Sequence, residues 1–206
     1  MDESSQRNAL VQAGRRLRAA GLVLATEGNL STRLGEDRIL VSPAGRRKDE
    51  LDAGDLVVVS LAEDDRETRP SGRPSSDLAI HRAIYEARGE LRAIAHAHPP
   101  AALALTLAGE LPDPSSLPET ALLLPRLPFV PFAPPGSERL AAAIASAFGS
   151  PDDIAGLPGA VLLERHGAVA VGETIDEAVD RLELVDLLCR VWRDARLLGR
   201  AERAAK

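Results

Sequence analysis

The chain has 206 residues, a formal charge of −6 and charges that are mixed rather than blocked, so it offers no basic field to nucleic acid and reads as one folded domain, residues 1–206, with a sizeable core. Aromatic residues make up only 2% of the chain; the core must come from Ala, Leu, Val and Ile, and base-stacking platforms for single-stranded nucleic acid are excluded. The lone Cys189 excludes an internal disulfide and a cysteine zinc cluster. The start from Met1 to Gln6 is acidic and polar, unlike a secretion signal, and no apolar run approaches the roughly 20 residues that span a membrane, so a cytoplasmic protein is expected.

Within residues 5–20, Leu10, Val11, Gly14, Leu17 and Ala20 recur at helical spacing, and Gly21 is placed to stop the helix. Strands are predicted at 30–34 and 39–42, turned by Gly35-Glu36-Asp37. Gly28 and Asn29 stand where a loop enters the first strand. Glycine permits a positive φ and an asparagine amide can donate to an anion, although a plain turn is the commoner reading. Ser42 to Gly45 is a second tight turn, Arg46-Arg47-Lys48 reads as a solvated charge run, residues 55–61 as a strand, and Ala62 to Pro74 as an exposed loop. Ser75 and Ser76 are N-cap types ahead of Leu78, Ile80, Ala83, Ile84 and Ala87 at helical spacing. That puts Asp77 in a first helical turn, where free N–H groups and partial positive charge favour carboxylates and phosphates. His81, four residues on, is expected in the core or behind a site rather than as a ligand.

The aliphatic run from Arg92 ends in His96-Ala97-His98-Pro99-Pro100. On a strand, residues i and i+2 share a face, roughly 7 Å apart along the backbone. His96 and His98 are therefore placed to lean toward one metal ion, with surface histidines at a strand end as the alternative. A short helix over 101–108 and a turn-rich connection over 109–118 follow. Glu119 after Pro118 opens an apolar stretch to Leu124, and Phe129 to Phe132 is a short strand. Ser137 caps a helix with Leu140, Ile144 and Phe148 inward. Two strands over 159–172 flank the turn Arg165-His166-Gly167, where His166 is either a surface turn residue or a third ligand. Thr174 caps a long helix whose stripe runs through Ile175, Ala178, Val179, Leu182, Val185, Leu188, Cys189 and Trp192, and the polar tail after Leu198 is expected to fray.

Five short motifs in order, Gly28-Asn-Leu-Ser31, Ser42-Pro-Ala-Gly45, Pro74-Ser-Ser-Asp77, His96-Ala-His-Pro99 and Arg165 to Gly172, resemble the class II aldolase/adducin family, most of all its L-fuculose-phosphate aldolases. The resemblance implies an α/β (layered α+β) fold, a central and mostly antiparallel β-sheet covered by helices. It also implies a homotetramer with active sites at subunit boundaries. By the same resemblance His96, His98 and His166 hold a divalent metal, usually Zn2+ and otherwise Mn2+ or Co2+, and Asp77 is both a further ligand and a general acid/base. Three neutral imidazoles with open positions suit a catalytic zinc. Asn29, Gly45, Ser75 and Ser76 match positions that bind a substrate phosphate, and Glu119 falls where relatives draw another acid/base group.

The implied reaction cleaves a short ketose phosphate, of the L-fuculose 1-phosphate kind, to dihydroxyacetone phosphate and an aldehyde through a metal-stabilised enediolate. Three residues depart from the aldolase pattern. Asp77 stands where aldolases have Glu and the related ribulose-phosphate 4-epimerases have Asp. Ala44 replaces a common Ser or Thr. Tyr85 is the only tyrosine, whereas some aldolases use tyrosines from a neighbouring subunit and from the C-terminal tail. A 4-epimerase, a sugar-acid phosphate decarboxylase or a dehydratase on the same scaffold is the alternative, and a non-catalytic adducin-like assembly domain a third reading. The latter need not keep the metal ligands present here.

Overall fold

The computed structural model describes residues 2–62, 73–149 and 157–204; most of the loop expected over 62–74 lies outside them. Helix α1 (Glu3–Ala19) leads into strands β1 (Asn29–Arg33), β2 (Arg38–Val41) and β3 (Val57–Ser60). Helix α2 (Leu78–Ala87), strand β4 (Ala93–Ala97), helix α3 (Pro100–Leu107) and the short helix α4 (Pro118–Leu123) follow. The chain then forms β5 (Phe129–Val130), α5 (Glu138–Ala147), β6 (Ala160–Leu163), β7 (Gly167–Gly172) and α6 (Ile175–Ala204). The seven strands make one sheet in the order β3-β2-β1-β4-β7-β6-β5. All neighbours are antiparallel except β5 and β6. This is the mostly antiparallel, helix-covered sheet expected from the sequence.

Strand parity divides the core in two. Leu30, Leu40, Ala93, Ala95, Ala97, Leu162, Ala168 and Ala170 face a layer made by α1, α3 and α6. Ile39, Val41, Val57, Val59, Ile94, Val161, Val169 and Val171 face a layer made by α2 and α5. Alternation of this kind follows from the two-residue period of a strand, and burial on both faces explains why β4, β6 and β7 are almost entirely aliphatic. His96 shares the parity of Ile94 and so points to the α2 side, at the end of a central strand. There it lies opposite Asn29 of β1 and Val169 of β7.

Several local readings are corrected by the structure. The third strand starts at Val57 because Ala53–Asp55 is a 3-10 turn, closed by reciprocal Asp52 and Asp55 capping. The N-cap of α2 is Asp77 rather than Ser75 or Ser76, and its side chain makes no cap bond. Ala87 is exposed, and Tyr85 takes its place on the buried stripe; a small apolar residue simply carries too little surface to decide a helix face. Lys48 is 2% exposed, not solvated, because its ammonium donates to the Thr26 and Arg46 carbonyls at 3.0 and 2.7 Å. Beyond Leu198, where fraying was expected, α6 continues to Ala204. Cys189 lies in the core as expected, its thiol pushed up to about 12 by burial.

The hairpin from β6 to β7 approaches the end of β4 at a position only glycine can fill. Gly167 has φ +99°, and a Cβ there would stand 2.2 Å from the Ala97 carbonyl oxygen and 2.9 Å from the His98 Cα. Gly167→Ala is expected to cost about 2–4 kcal/mol from backbone strain and overlap. Gly54→Ala is the control: a Cβ there meets nothing within 4 Å, so it should fall within about 0.5 kcal/mol of the parent in urea unfolding.

Candidate metal centre

Three histidines meet at the open end of the sheet. His96 is the last residue but one of β4, His98 follows the strand, and His166 comes from the β6–β7 turn, so that strand pairing draws together residues about seventy positions apart. One ligand nitrogen from each lies within 4.8 Å of the others, and the ring centroids are 4.8–5.0 Å apart. The His96 Nδ1–H donates to the Ala168 carbonyl at 2.9 Å, which leaves Nε2 as the lone-pair nitrogen. His98 is oriented in the same way by Glu27, whose carboxylate takes the Nδ1–H at 3.0 Å. The two Nε2 atoms then converge to 3.1 Å. Two lone pairs so close repel unless a cation lies between them, and a hydrogen bond on the far nitrogen is the usual way to fix a ligating imidazole. His166 Nδ1 is buried with no hydrogen-bond partner, a second sign that the cluster is built for a ligand. The donor set fits a divalent ion such as zinc.

Burial keeps His96 well below the ordinary imidazole value, helped by His98 and His166, and His166 is lowered by burial and by His98. Neutral rings are what metal binding requires. Asp77 stands beside the triad, one carboxylate oxygen 3.9 Å from His96 Nε2. The same oxygen accepts from the Asn29 amide at 2.9 Å.

A cleft of about 380 Å³ opens over this cluster and includes Asn29, Gly45, Ser75, Ser76, Asp77, His98 and His166 among its walls. Ser75 is nearly buried, and its hydroxyl accepts from the Asp77 N–H at 3.3 Å, whereas Ser76 is exposed. The Asn29 side chain donates one amide hydrogen to Asp77, and its oxygen accepts from His81 Nε2; an amide carries a second hydrogen for a ligand. Glu119 is exposed on α4 and is not among the residues lining the cleft of a single chain. Two larger hollows lie between α2 and α5 and beside Arg33 and the start of α6, about 660 and 430 Å³, and neither contains a histidine of the triad. Volume is therefore not what marks the site.

Sequence reasoning missed Glu27 and Lys48. Glu27 directly precedes the Gly28-Asn29 motif, the one cue that was present. Lys48 also lines the cleft, its amine lowered to about 8 by burial against the opposing pull of Glu27.

A mostly antiparallel sheet, helices on both faces and three histidines converging at one end define the architecture of class II aldolases. The chain belongs to the family described as Class II Aldolase and Adducin N-terminal domain, which matches residues 8–193. It is 35% identical to methylthioribulose-1-phosphate dehydratase of Acidiphilium cryptum over 198 residues, 90% of this chain and 88% of that protein. It is 30% identical to 3-oxo-tetronate 4-phosphate decarboxylase of Cupriavidus necator over 194 residues, 92% of this chain and 84% of that protein. Among solved structures it resembles L-fuculose-1-phosphate aldolase from Thermus thermophilus, with a TM-score of 0.80 and 29% identity over 95% of this chain and 96% of that one. Among the described residues no helix is long and apolar enough to cross a membrane.

Burial also holds His81 down to about 3. Imidazoles lowered below their unfolded value near 6.5 bind fewer protons folded than unfolded, so the protein gains no protons to match those taken up by the unfolded chain as pH falls. The metal-free protein is expected to lose stability on acidification below about pH 6.5, by roughly 1.4 kcal/mol per pH unit from His81 alone. Urea unfolding with chelator at about pH 7, 5.5 and 4 measures the slope, and His81→Gln should reduce it by about one proton's worth.

Proposed function

We propose that this chain is a divalent-metal-dependent lyase acting on a phosphorylated ketose, and that dehydration of methylthioribulose 1-phosphate is its reaction. The observation that carries the reading is one cleft, walled by the Gly45 turn and the Ser75–Asp77 start of α2, that opens over a cluster of three convergent imidazoles with a carboxylate beside them. The likeness to the Acidiphilium cryptum dehydratase, across most of both chains, supports the substrate.

When bound by His96, His98 and His166, a divalent ion supplies Lewis acidity toward a substrate carbonyl. The chain's own groups do the rest. The Gly45 turn, the Ser75 and Ser76 hydroxyls, the second Asn29 amide hydrogen and the N-terminal end of α2 make a wall suited to a phosphate. Asp77 Oδ2 is tied to Asn29, which leaves Oδ1 to take a proton from the carbon next to the ketone. The electron pair of that C–H bond forms the new double bond, and the hydroxyl on the next carbon leaves as water once protonated. Glu119 is our candidate for that second proton transfer. Its exposed place on α4 requires that it enter the cleft of a neighbouring subunit, as a homotetramer would allow. Zinc is the metal we expect, with manganese or cobalt as substitutes.

Retro-aldol cleavage of an L-fuculose 1-phosphate-like ketose is a second reading, favoured by the likeness to the Thermus thermophilus aldolase over almost the whole of both chains. It uses the same polarised carbonyl but breaks a C–C rather than a C–H bond.

The test offers the purified protein methylthioribulose 1-phosphate, L-fuculose 1-phosphate and 3-oxo-tetronate 4-phosphate, with metal content assayed beside turnover. About one divalent ion per chain is expected, together with water loss from the first substrate. The double change His96→Ala/His98→Ala should abolish both, and Asp77→Asn should lower kcat by about a hundredfold or more with metal retained. A fully metal-loaded protein that leaves all three phosphates intact would sink the proposal.

A further inference from the structure

Behind Asp77 a row of polar side chains runs through the otherwise aliphatic layer between β1 and α2. Asn29 and Ser31 lie two apart on β1 and so share a face; His81 and Tyr85 lie four apart on α2 and also share one. The two pairs interlock. The Tyr85 hydroxyl is 3.0 Å from the Ser31 hydroxyl, which is 2.7 Å from His81 Nδ1. His81 Nε2 is 2.5 Å from Asn29 Oδ1, and the Asn29 amide is 2.9 Å from Asp77. Ser31 and His81 are fully buried, and Tyr85 and Asn29 are 1% and 3% exposed.

The direction of every bond follows from its last member. A carboxylate only accepts, so Asn29 must turn its NH2 to Asp77 and its oxygen to His81. That oxygen only accepts, so His81 carries its proton on Nε2. Nδ1 is then a lone pair, and the Ser31 hydroxyl must donate to it. Ser31 has spent its proton, so the Tyr85 hydroxyl donates to Ser31; the Arg92 carbonyl, at 3.4 Å, is the weaker competitor. The opposite direction would set an amide oxygen against a carboxylate oxygen at 2.9 Å. Behind the start of the chain stands a fixed positive charge: the Arg33 guanidinium lies 4.8 Å over the Tyr85 ring and donates to the Tyr85 carbonyl.

We propose that Tyr85, Ser31 and His81 are positioning residues that act through Asn29 to aim the Asp77 carboxylate, by a one-way chain of four hydrogen bonds whose donors all point toward it. Bonds aligned head to tail polarise one another in a medium of low dielectric, so removing a far link weakens the near one. The role assigned to Asp77 itself rests on the function proposed above; the direction of the chain does not.

Two measurements test it. Nitrogen-15 NMR of histidine-labelled, metal-free protein reads the His81 tautomer directly. A proton on Nε2 is expected, and a proton on Nδ1 overturns the chain whatever the enzyme's substrate. Tyr85→Phe keeps the ring and removes the first donor, and Ser31→Ala removes the second. Each is expected to lower kcat on methylthioribulose 1-phosphate about three- to tenfold with KM and zinc content unchanged. If the two variants lose only stability, while the folded, zinc-loaded fraction keeps the parent kcat, the row is merely structural and the proposal fails. Should the parent turn over none of the three phosphates, the proposed function falls and the tautomer still decides the chain.

Discussion

The site depends on one close approach of main chain to main chain, Gly167 against Ala97 and His98. Sheet pairing brings β7 alongside β4, but pairing alone would leave the β6–β7 turn a side chain's width from the end of β4. The missing Cβ at Gly167 lets the turn settle onto the strand, and His166, one residue earlier, is carried within reach of His96 and His98. Arg165 adopts φ +57° in the same turn, an unusual value for a residue with a Cβ. Gly28, at φ +72°, has a matching role on the other side: a Cβ there would stand 2.8 Å from the His96 carbonyl oxygen. Two successive carbonyls of the ligand-bearing segment, those of His96 and Ala97, are thus each approached by a glycine, one from either side.

Around that fixed point the two faces of the sheet divide the work. The α1, α3 and α6 side is apolar almost throughout. The α2 side carries Asn29, Ser31, Asp77, His81 and Tyr85 within a layer that is otherwise apolar. A buried polar row is tolerable only when each member is satisfied, and here the strand period and the helix period coincide so that Asn29 and Ser31 meet His81 and Tyr85 without a gap. Lys48 solves the same problem differently, burying an ammonium against two carbonyls of the loops that form the cleft wall. Stability and site geometry are therefore not independent around the cleft.

Much of this was legible in the sequence. His96 and His98 could be read as a pair because the strand period is rigid and because Ala97 between them says which face is which. The five motifs in order conveyed the mostly antiparallel sheet. What escaped reading was long-range or short in surface. Glu27 and His98 are neighbours only once β4 has returned beside the first loop. Ser31 stands on a mostly polar strand, Asn29 to Arg33, and a polar strand residue looks the same whether it meets water or a helix. Lys48 was misread because a run of three basic residues normally faces solvent, and nothing local reveals two carbonyls waiting for an ammonium. Asp77 was placed near a helix start correctly, but its side chain turns to Asn29 rather than to the helix.

The opposite face has a quieter property. Where α6 crosses β4 and β7 it rests on Ala93, Ala95, Ala97, Ala168 and Ala170, and at Gly172 the helix backbone comes so near that a Cβ would lie 2.9 Å from the Ala178 nitrogen. Alanine and glycine have no side-chain torsions to freeze, so the sheet side of this seam gives up almost no rotamer entropy on folding. A core this poor in aromatic residues would be expected to pack loosely and in several ways. Here the sheet side of the seam has no side-chain conformers to choose among, so the fit of α6 on β4 and β7 is set by backbone position rather than by interlocking bulk on both sides.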